Sequence, residues 1–194
     1  YGPDRMLMYG NYVYVLNSGG YGNDSTVSVI NTVNNQIVKT IGVGYNPNSI
    51  VVDKNNKMWV LCGGKWKSDW SGLESSGKLV KINLVTNSVE RVFDFTSQFS
   101  TPSSLTINSG GDMLYFIYDG KVYKMSIDSN DCCNDIFVSK NFYRIEIDRN
   151  DNNLYCSDPK DYVSNGWIYR YNTTNNIVVD SFEVGIIPTN FSIK

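Results

Sequence analysis

Residues 48–61 read NSIVVDKNNKMWVL and contain two β-strand signals around one polar turn. Residues 48–53 alternate polar and apolar side chains, 54–57 is a run of turn-forming polar residues, and 58–61 is a short apolar run. Alternation of this kind between Asn-rich turns is typical of antiparallel strands. The stretch therefore predicts two strands joined by a tight turn.

Two further strands complete the unit. Residues 78–83 alternate again, 85–88 form a polar turn, and 89–93 give a fourth strand signal. The pattern recurs along the chain, with second strands at 13–16, 114–117 and 154–156, third strands at 27–31, 122–126 and 168–172, and fourth strands at 37–41, 136–138 and 177–182. The turn after the third strand keeps an Asn, a residue that tolerates positive φ, at Asn35, Asn87, Asn130 and Asn176.

The repeat length indicates the architecture. A Pro precedes the first strand at Pro47, Pro102 and Pro188, and the three repeats between the first and the last of these average 47 residues. Four strands per unit of this length are typical of β-propeller blades. We predict an all-β, single-domain propeller over 1–194, with a closing strand at 188–194 and four blades at 4–44, 45–98, 99–139 and 140–185.

The two ends of the chain bear on the size of the ring. There is no initiating Met, no signal-type segment and no apolar run of the roughly 20 residues that a membrane span needs. We expect that blades upstream are missing and that the chain is part of a seven- or eight-bladed ring. A small four-bladed ring and a homodimer are the alternatives.

Composition excludes several function classes. The 194 residues include no His and no Ala, but 24 Asn and 14 Tyr. Without His there is no Ser-His-Asp triad, no Cys-His pair and no His-ligated metal. The net charge of −2 gives no electrostatic footprint for nucleic acid.

The four cysteines do not form a disulfide framework. They are Cys62, Cys132, Cys133 and Cys156, and no pair has the C-x-x-C spacing. The expected arrangement is two buried thiols and two turn thiols, while the adjacent pair Cys132-Cys133 leaves a vicinal disulfide open.

One part of the chain resembles a known repeat. Residues 14–17 (YVLN), 25–31 (STVSVIN), 36–44 (QIVKTIGVG) and 46–47 (NP) match, in order and spacing, the YVTN-type repeat of YncE-like and surface-layer-protein-like propellers. Leu16 stands where that motif has Thr. The end of the chain, 184–191, is similar to the C-terminus of Bacteroidetes surface propeller lipoproteins of unknown function.

This resemblance implies a non-enzymatic, extracytoplasmic binding protein at the cell surface or in the periplasm, lipid-anchored through a missing N-terminal segment. Some relatives capture corrinoids beside an outer-membrane transporter, so a corrinoid-like cofactor joins glycans as an expected ligand. The alternative is a scaffold that binds a surface or outer-membrane protein. Fold alone does not settle the choice.

Long loops indicate where a ligand binds. Loops 17–25, 62–77 and 156–166 lie on one face of the predicted propeller, whereas the turns on the opposite face are short. Loop 62–77 combines two indoles with charged groups, a combination that suits a sugar, a flat macrocycle or a partner protein. The candidate ligand-binding residues there are Trp66, Lys67, Asp69 and Trp70. The alternative is that the indoles pack on a neighbouring blade.

Other aromatic and acidic residues are expected to have different roles. Tyr21, Tyr45, Asp161 and Tyr162 are further candidates on the same face, each with a structural role as the alternative. The strand aromatics are expected in the core between blades, and they are Trp59, Tyr115, Tyr155 and Tyr169.

Acidic residues leave two weaker hypotheses. Residues 148–153 and 128–131 mimic the start of a calcium loop, but 148–153 lacks the Gly and Glu that such a loop needs, and both segments fit ordinary turns. A pair of carboxylates for glycan hydrolysis would have to come from Asp69, Glu74, Asp158 and Asp161. We assign no catalytic residue, no metal and no cofactor, and predict a binding protein.

Overall fold

The computed structural model describes residues 2–20 and 23–192, and every regular element in these ranges is a β-strand. Sixteen of the strands form four four-stranded antiparallel sheets, and the other two form a small hairpin. The predicted all-β propeller fold, with four blades in this chain, is confirmed. In the described ranges no helix has the length and apolarity of a membrane span.

The chain divides into two compact units, Tyr1–Ser103 and Ser104–Lys194. The first unit holds two blades. The first blade has the order β1-β2-β3-β4, with β1 (Pro3–Tyr9), β2 (Tyr12–Asn17), β3 (Thr26–Asn31) and β4 (Gln36–Gly42). The second has the order β10-β9-β6-β5, with β5 (Pro47–Val52), β6 (Lys57–Cys62), β9 (Lys78–Asn83) and β10 (Ser88–Asp94). Between β6 and β9 lies the hairpin of β7 (Lys65–Trp66) and β8 (Leu73–Ser75).

The second unit holds the other two blades, each with its strands in chain order. The third blade consists of β11 (Ser103–Ile107), β12 (Met113–Tyr118), β13 (Lys121–Ser126) and β14 (Asp135–Val138). The fourth consists of β15 (Arg144–Ile147), β16 (Asn153–Asp158), β17 (Asn165–Asn172) and β18 (Val178–Ile186).

In the first unit, the core lies between its two blades. Period-2 alternation puts Tyr14 and Leu16 of β2 on the same face of the first blade, where both are fully buried. They pack in one cluster with Val60 and Ile82 of the second blade. The Tyr14 hydroxyl also donates a 2.8 Å hydrogen bond to Asn87 Oδ1, so this buried phenol has a polar partner.

The second unit has an equivalent core that is richer in aromatic rings. Tyr115 and Phe137 of the third blade lie in one cluster with Tyr171 of the fourth blade. The ring of Phe137 meets both tyrosines edge-on, at centroid distances of 5.2 Å and 6.2 Å.

The aromatic residues predicted for the core fall into two groups. Trp59 and Tyr115 are buried, as predicted. Tyr169 is half-buried and packs against the core cluster. For Tyr155 the prediction is wrong, because this residue is half-buried outside the cluster and its ring meets Phe191 edge-on at 6.2 Å.

Asn residues make the tight turn after the third strand in three blades. Asn35, Asn87 and Asn176 have φ of 57°, 51° and 62°, the left-handed conformation that Asn tolerates. The prediction is wrong for Asn130, because the connection in the third blade spans 127–134 and Cys133 takes the positive φ there, at 66°.

Two of the three prolines predicted to precede a first strand pack against a glycine. A Cβ on Gly77 would lie 2.4 Å from Pro102 Cδ, and a Cβ on Gly166 would lie 2.6 Å from Pro188 Cδ. Both glycines stand at the beginning of a third strand or just before it. The Pro ring and the Gly backbone therefore pack directly on each other within each unit, and a larger residue does not fit there.

All four cysteines are free. Cys62 and Cys156 are fully buried strand residues, and burial raises the pKa of Cys62 to about 12. Cys132 and Cys133 are half-buried in the connection before β14, and a hydrogen bond between the two thiols, together with burial, raises the pKa of Cys132. The expected two buried thiols and two turn thiols are confirmed.

The chain after β18 has no regular structure as far as residue 192. Ile193 and Lys194 lie outside the described residues, so the closing strand at 188–194 stays a prediction.

Asp53 is a polar centre inside the second blade. Its side chain is buried, and Oδ1 accepts hydrogen bonds from the backbone amides of Asn55 and Lys57, at 2.8 Å and 2.9 Å. Oδ2 accepts a 2.8 Å hydrogen bond from Nε1 of the fully buried Trp59. One carboxylate therefore accepts hydrogen bonds both from the amides of the β5–β6 turn and from the indole N–H of Trp59, the largest buried side chain of this blade.

We expect Asp53→Ala to destabilise the protein by about 2–4 kcal/mol, because it leaves the Trp59 indole N–H and two turn amides without an acceptor. The measurement is the free energy of unfolding in urea. Asp94→Ala is the matched control, since Asp94 is an exposed carboxylate paired with Lys78, and its loss should cost about 0–1 kcal/mol. Equal losses in the two variants would contradict this role of Asp53.

Candidate functional site

The loop predicted to bind a ligand contains a short β-hairpin. We call residues 62–77 the Trp hairpin. The Lys67 amide donates a 3.0 Å hydrogen bond to the carbonyl oxygen of Gly72, across the hairpin. Leu73 is buried, and its amide donates a 2.7 Å hydrogen bond to the carbonyl oxygen of Gln98. Leu73 therefore fixes the base of the hairpin and leaves the tip free to present side chains.

Two indoles stand together on the Trp hairpin. The rings of Trp66 and Trp70 have centroids 5.9 Å apart, with 36° between their planes. Trp66 is half-buried, whereas Trp70 is 70% exposed. The alternative that the indoles pack on a neighbouring blade therefore does not hold for Trp70, because most of its surface is exposed to solvent.

At the tip of the hairpin, Trp70 lies in a hydrogen-bonded turn with a left-handed backbone. Trp70 has φ 60°, which is unusual for a bulky residue. Its amide donates a 3.0 Å hydrogen bond to the Lys67 carbonyl, and the Asp69 Oδ1 accepts a 3.0 Å hydrogen bond from the Ser71 amide. The backbone and hydroxyl hydrogen bonds from Ser71 lower the pKa of Asp69, so this carboxylate stays ionised and holds the turn.

Charged groups surround the indoles. Lys65 Nζ lies 2.9 Å from Glu74 Oε2 and 5.4 Å from the centre of the Tyr45 ring. This hydrogen bond to Glu74 raises the pKa of Lys65. Lys67 is exposed, and within the described residues its ammonium has no ion-pair partner. The hairpin therefore presents two indoles beside one available cation.

A third aromatic ring that the sequence did not indicate lies beside the hairpin. Phe99 is 72% exposed, and a Cβ on Gly72 would lie 3.4 Å from Phe99 Cε1. The only sequence signal is its polar surroundings, 97–101, which favour exposure. Of the predicted site residues, Trp66, Lys67, Asp69, Trp70 and Tyr45 thus occur around one hairpin. Tyr21 lies outside the described residues.

The remaining candidates, Asp161 and Tyr162, belong to the second unit. Tyr162 is 51% exposed, and its ring meets that of Tyr143 edge-on at 6.1 Å. Tyr143 is 42% exposed and was not predicted from the sequence. The sequence feature that could have indicated exposure of Tyr143 is its position directly before β15, in the connection that leads into the fourth blade.

The four carboxylates considered for hydrolysis have local partners. Asp69 and Asp161 hold turns, Glu74 pairs with Lys65, and Asp158 lies 2.9 Å from Lys140 Nζ. Burial acts to raise the pKa of Asp158, but hydrogen bonds from Lys140 and from the Lys160 amide lower it overall. A general acid for glycoside hydrolysis needs a raised pKa, whereas the pKa values of Asp69, Asp158 and Asp161 are lowered.

The two calcium-like segments are turns. Asp148 Oδ1 accepts a 2.8 Å hydrogen bond from the Asn150 amide, and Asp151 Oδ1 accepts one of 2.9 Å from Asn153. In 128–131, the Ser129 hydroxyl bonds the backbone of Asp131. No group of three or more His, Cys, Asp or Glu able to hold a metal occurs among the described residues.

The second unit also has a groove of about 610 Å³ beside the fourth blade. Tyr155, Ile168 and Phe182 line one side, and Phe191 of the segment after β18 lines another. Because the chain's own C-terminal segment forms this wall, the groove is a seam within the unit.

We expect Trp70→Gly to change the free energy of unfolding by no more than about 1 kcal/mol. Gly relieves the positive φ, a gain of about 1–2 kcal/mol, while the lost ring contact with Trp66 costs about 0.5–1.5 kcal/mol. Leu73→Ala is the control and should cost about 2–4 kcal/mol, since this side chain is buried. A large loss for Trp70→Gly would make this residue structural.

A second prediction concerns pH at the Tyr162 turn. Hydrogen bonds from the Ser164 and Val163 amides, and from the Ser164 hydroxyl, lower the pKa of Asp161 to about 2. Because the pKa is depressed in the folded state, the stabilisation is complete above about pH 4 and is lost as pH falls through about 2. The amide chemical shifts of Val163 and Ser164 should titrate with that midpoint.

Asp161→Asn is the matched variant for this titration, since its amide oxygen still accepts the two amide hydrogen bonds but does not ionise in this range. Shifts that titrate near the ordinary Asp value in the unmodified protein would show that the carboxylate does not hold the turn.

The comparisons with known proteins concern the fold. No family model and no curated protein matches the chain. Among solved structures, Kuenenia stuttgartiensis hydrazine synthase is similar at TM-score 0.69 and 13% identity, covering 95% of this chain and 49% of that one. A Bacteroides thetaiotaomicron protein of unknown function is similar at TM-score 0.61 and 14% identity, covering 88% and 41%. The chain thus spans about half the length of these structures or less, and what it shares with them is the β-propeller fold.

Proposed function

We propose that this chain is a non-enzymatic binding protein whose ligand stacks on the indoles of the Trp hairpin, and that the ligand is a glycan. The observation that carries the proposal is Trp70, a large apolar ring that is 70% exposed at a positive φ. Backbone conformations of this cost persist where the surroundings impose them, and they concentrate at functional sites.

The chemistry around Trp70 fits a sugar. A pyranose ring presents C–H groups on its faces and hydroxyls at its edge, so it needs an apolar surface bordered by polar groups. Trp66 and Trp70 provide the surface. Lys67 and the Lys65–Glu74 pair provide donors and acceptors at its border. A corrinoid-like cofactor, which is also a flat ring system with polar edges, is the second ligand class.

The carboxylates favour binding over hydrolysis. Asp69 and Asp161 are occupied by backbone amides, and both pKa values are lowered. A carboxylate-dependent enzyme acting on glycans is therefore the weakest of the three functions considered.

A protein-interaction scaffold is the main alternative. Trp is among the side chains that most often dominate protein interfaces, and Trp70 and Phe99 are both exposed, at 70% and 72%. On this alternative the partner is a surface or outer-membrane protein or a second copy of the chain, and nucleic acid is not a partner.

We also propose an extracytoplasmic location, at the cell surface or in the periplasm, with a lipid anchor in a segment that precedes this sequence. The support is the resemblance of 14–47 to the YVTN-type repeat of YncE-like propellers and of 184–191 to Bacteroidetes surface lipoproteins.

The test is a double change, Trp66→Ala with Trp70→Ala, assayed on an array of neutral and acidic oligosaccharides and with cyanocobalamin. We expect the unmodified protein to bind a glycan and the double variant to lose about 5-fold to 150-fold in affinity, since each stacked ring contributes about 0.5–1.5 kcal/mol. Phe182→Ala, which removes an exposed aromatic ring from the fourth blade, is the control and should bind normally.

Two results would count against the proposal. Binding that survives the double change would place the ligand elsewhere. A double variant that loses binding to a protein partner, when the unmodified protein binds no glycan and no corrinoid, would favour the scaffold.

A further inference from the structure

The turn that displays Trp70 has a counterpart in the second unit. In the Trp hairpin, the Trp70 amide bonds the carbonyl three residues earlier, at 3.0 Å, and the preceding Asp69 accepts the amide of the following Ser71, also at 3.0 Å. The chain thus turns back on itself at an aromatic residue in the left-handed conformation.

The loop between β16 and β17 repeats this arrangement. The Tyr162 amide donates to the carbonyl of Pro159, three residues earlier, at 3.0 Å. The preceding Asp161 accepts the amide of the following Val163 at 3.0 Å. Tyr162 has φ 66°, close to the 60° of Trp70. The two turns therefore share their hydrogen bonds, their left-handed residue and the aromatic character of that residue.

Each displayed ring has an aromatic neighbour that is itself accessible. Trp70 has Trp66 at 5.9 Å, and Tyr162 has Tyr143 at 6.1 Å. Tyr143 and Tyr162 are 42% and 51% exposed. The two planes meet at 80°, so the exposed parts of these rings offer apolar faces in two directions, and each ring carries a phenol hydroxyl.

The propeller fold does not require such a loop. In the third blade, the same connection, between β12 and β13, is only Asp119-Gly120, with φ of 48° and 69°. Positive φ at both central positions is characteristic of the type I′ turn, one of the commonest two-residue connections in a β-hairpin. Because two residues suffice to join these strands, the aromatic loops of the second and fourth blades are additions to the fold.

The polar contacts at the second turn leave its rings available. The Asp161 carboxylate is occupied by the Val163 and Ser164 amides and the Ser164 hydroxyl. Lys160 Nζ lies over the Trp167 ring, 5.1 Å from its centroid. Recognition at this turn therefore depends on the faces and hydroxyls of Tyr143 and Tyr162.

We propose that Tyr143 and Tyr162 form a second glycan-binding site, independent of the Trp hairpin and selective for the same class of ligand, so that the chain is bivalent. This inference rests on the proposed function. Since a phenol offers less stacking surface than an indole, the second site binds the more weakly of the two.

The experiment reads the two sites separately. Cellohexaose, mannohexaose and sialyllactose are titrated into ¹⁵N-labelled protein, and the amide shifts of Ser71 and of Val163 and Ser164 are followed. We expect one probe to move both sets of amides. Tyr143→Ala with Tyr162→Ala should weaken binding at the second site by at least about fivefold and change the first by less than about twofold. Trp66→Ala with Trp70→Ala should do the reverse.

Tyr162→Phe controls for folding and chemistry, because it keeps the ring and removes only the hydroxyl. It should retain most of the binding at the second site. Movement of the Ser71 amide alone would overturn the second site and leave the proposed function intact. Movement of the Val163 and Ser164 amides alone would overturn the Trp hairpin as the ligand site and, with it, bivalency. No movement with any of the three probes would overturn both proposals.

Discussion

Burial of one blade face against the next within each unit is the interaction on which the rest of this structure depends. In the first unit Tyr14 and Leu16 pack with Val60 and Ile82, and in the second unit Tyr115 and Phe137 pack with Tyr171. Apolar burial of this kind is the dominant favourable term in folding. The alternating strands supply most of these two clusters, and the connections add single residues such as Leu84 and Phe142. The rest of each connection is free to vary.

The connections between the second and third strands differ in length from blade to blade. The third blade joins its second and third strands with Asp119-Gly120 alone, whereas the second blade inserts a complete hairpin and the fourth an aromatic loop. The inserted segments carry their own anchors, such as the buried Leu73. They can therefore present Trp70 or Tyr162 to solvent without weakening the blade that carries them.

Several Asp carboxylates in this protein accept hydrogen bonds from backbone amides and so stabilise turns. Asp53, Asp69, Asp148 and Asp161 each accept amide hydrogen bonds in a turn. In the case of Asp53 the second oxygen also satisfies a buried indole. A protein with 24 Asn has many turn-forming groups, and without His it lacks the side chain that titrates most readily near neutral pH. The turn-forming composition and the hydrogen bonding of these carboxylates therefore agree.

Local sequence was sufficient to predict the four-stranded blades, Pro47 and Pro102 at the start of two of them, and the left-handed Asn35, Asn87 and Asn176. Alternation and turn preference depend on neighbouring residues, so they are readable without a structure. The same reasoning failed at Asn130 and Tyr155, where a longer connection and the chain's own C-terminal segment changed the environment.

The exposure of the aromatic residues was decided by tertiary structure alone. Trp59 is fully buried and donates a hydrogen bond to Asp53, Trp66 is half-buried, and Trp70 is 70% exposed. These three residues are chemically identical and lie within twelve positions of one another. The pairing of Tyr162 with Tyr143 likewise joins residues from two separate connections. The exposure of an aromatic side chain and its pairing with another ring depend on which distant segments of the chain pack against it. The residues next to it in the sequence do not determine this.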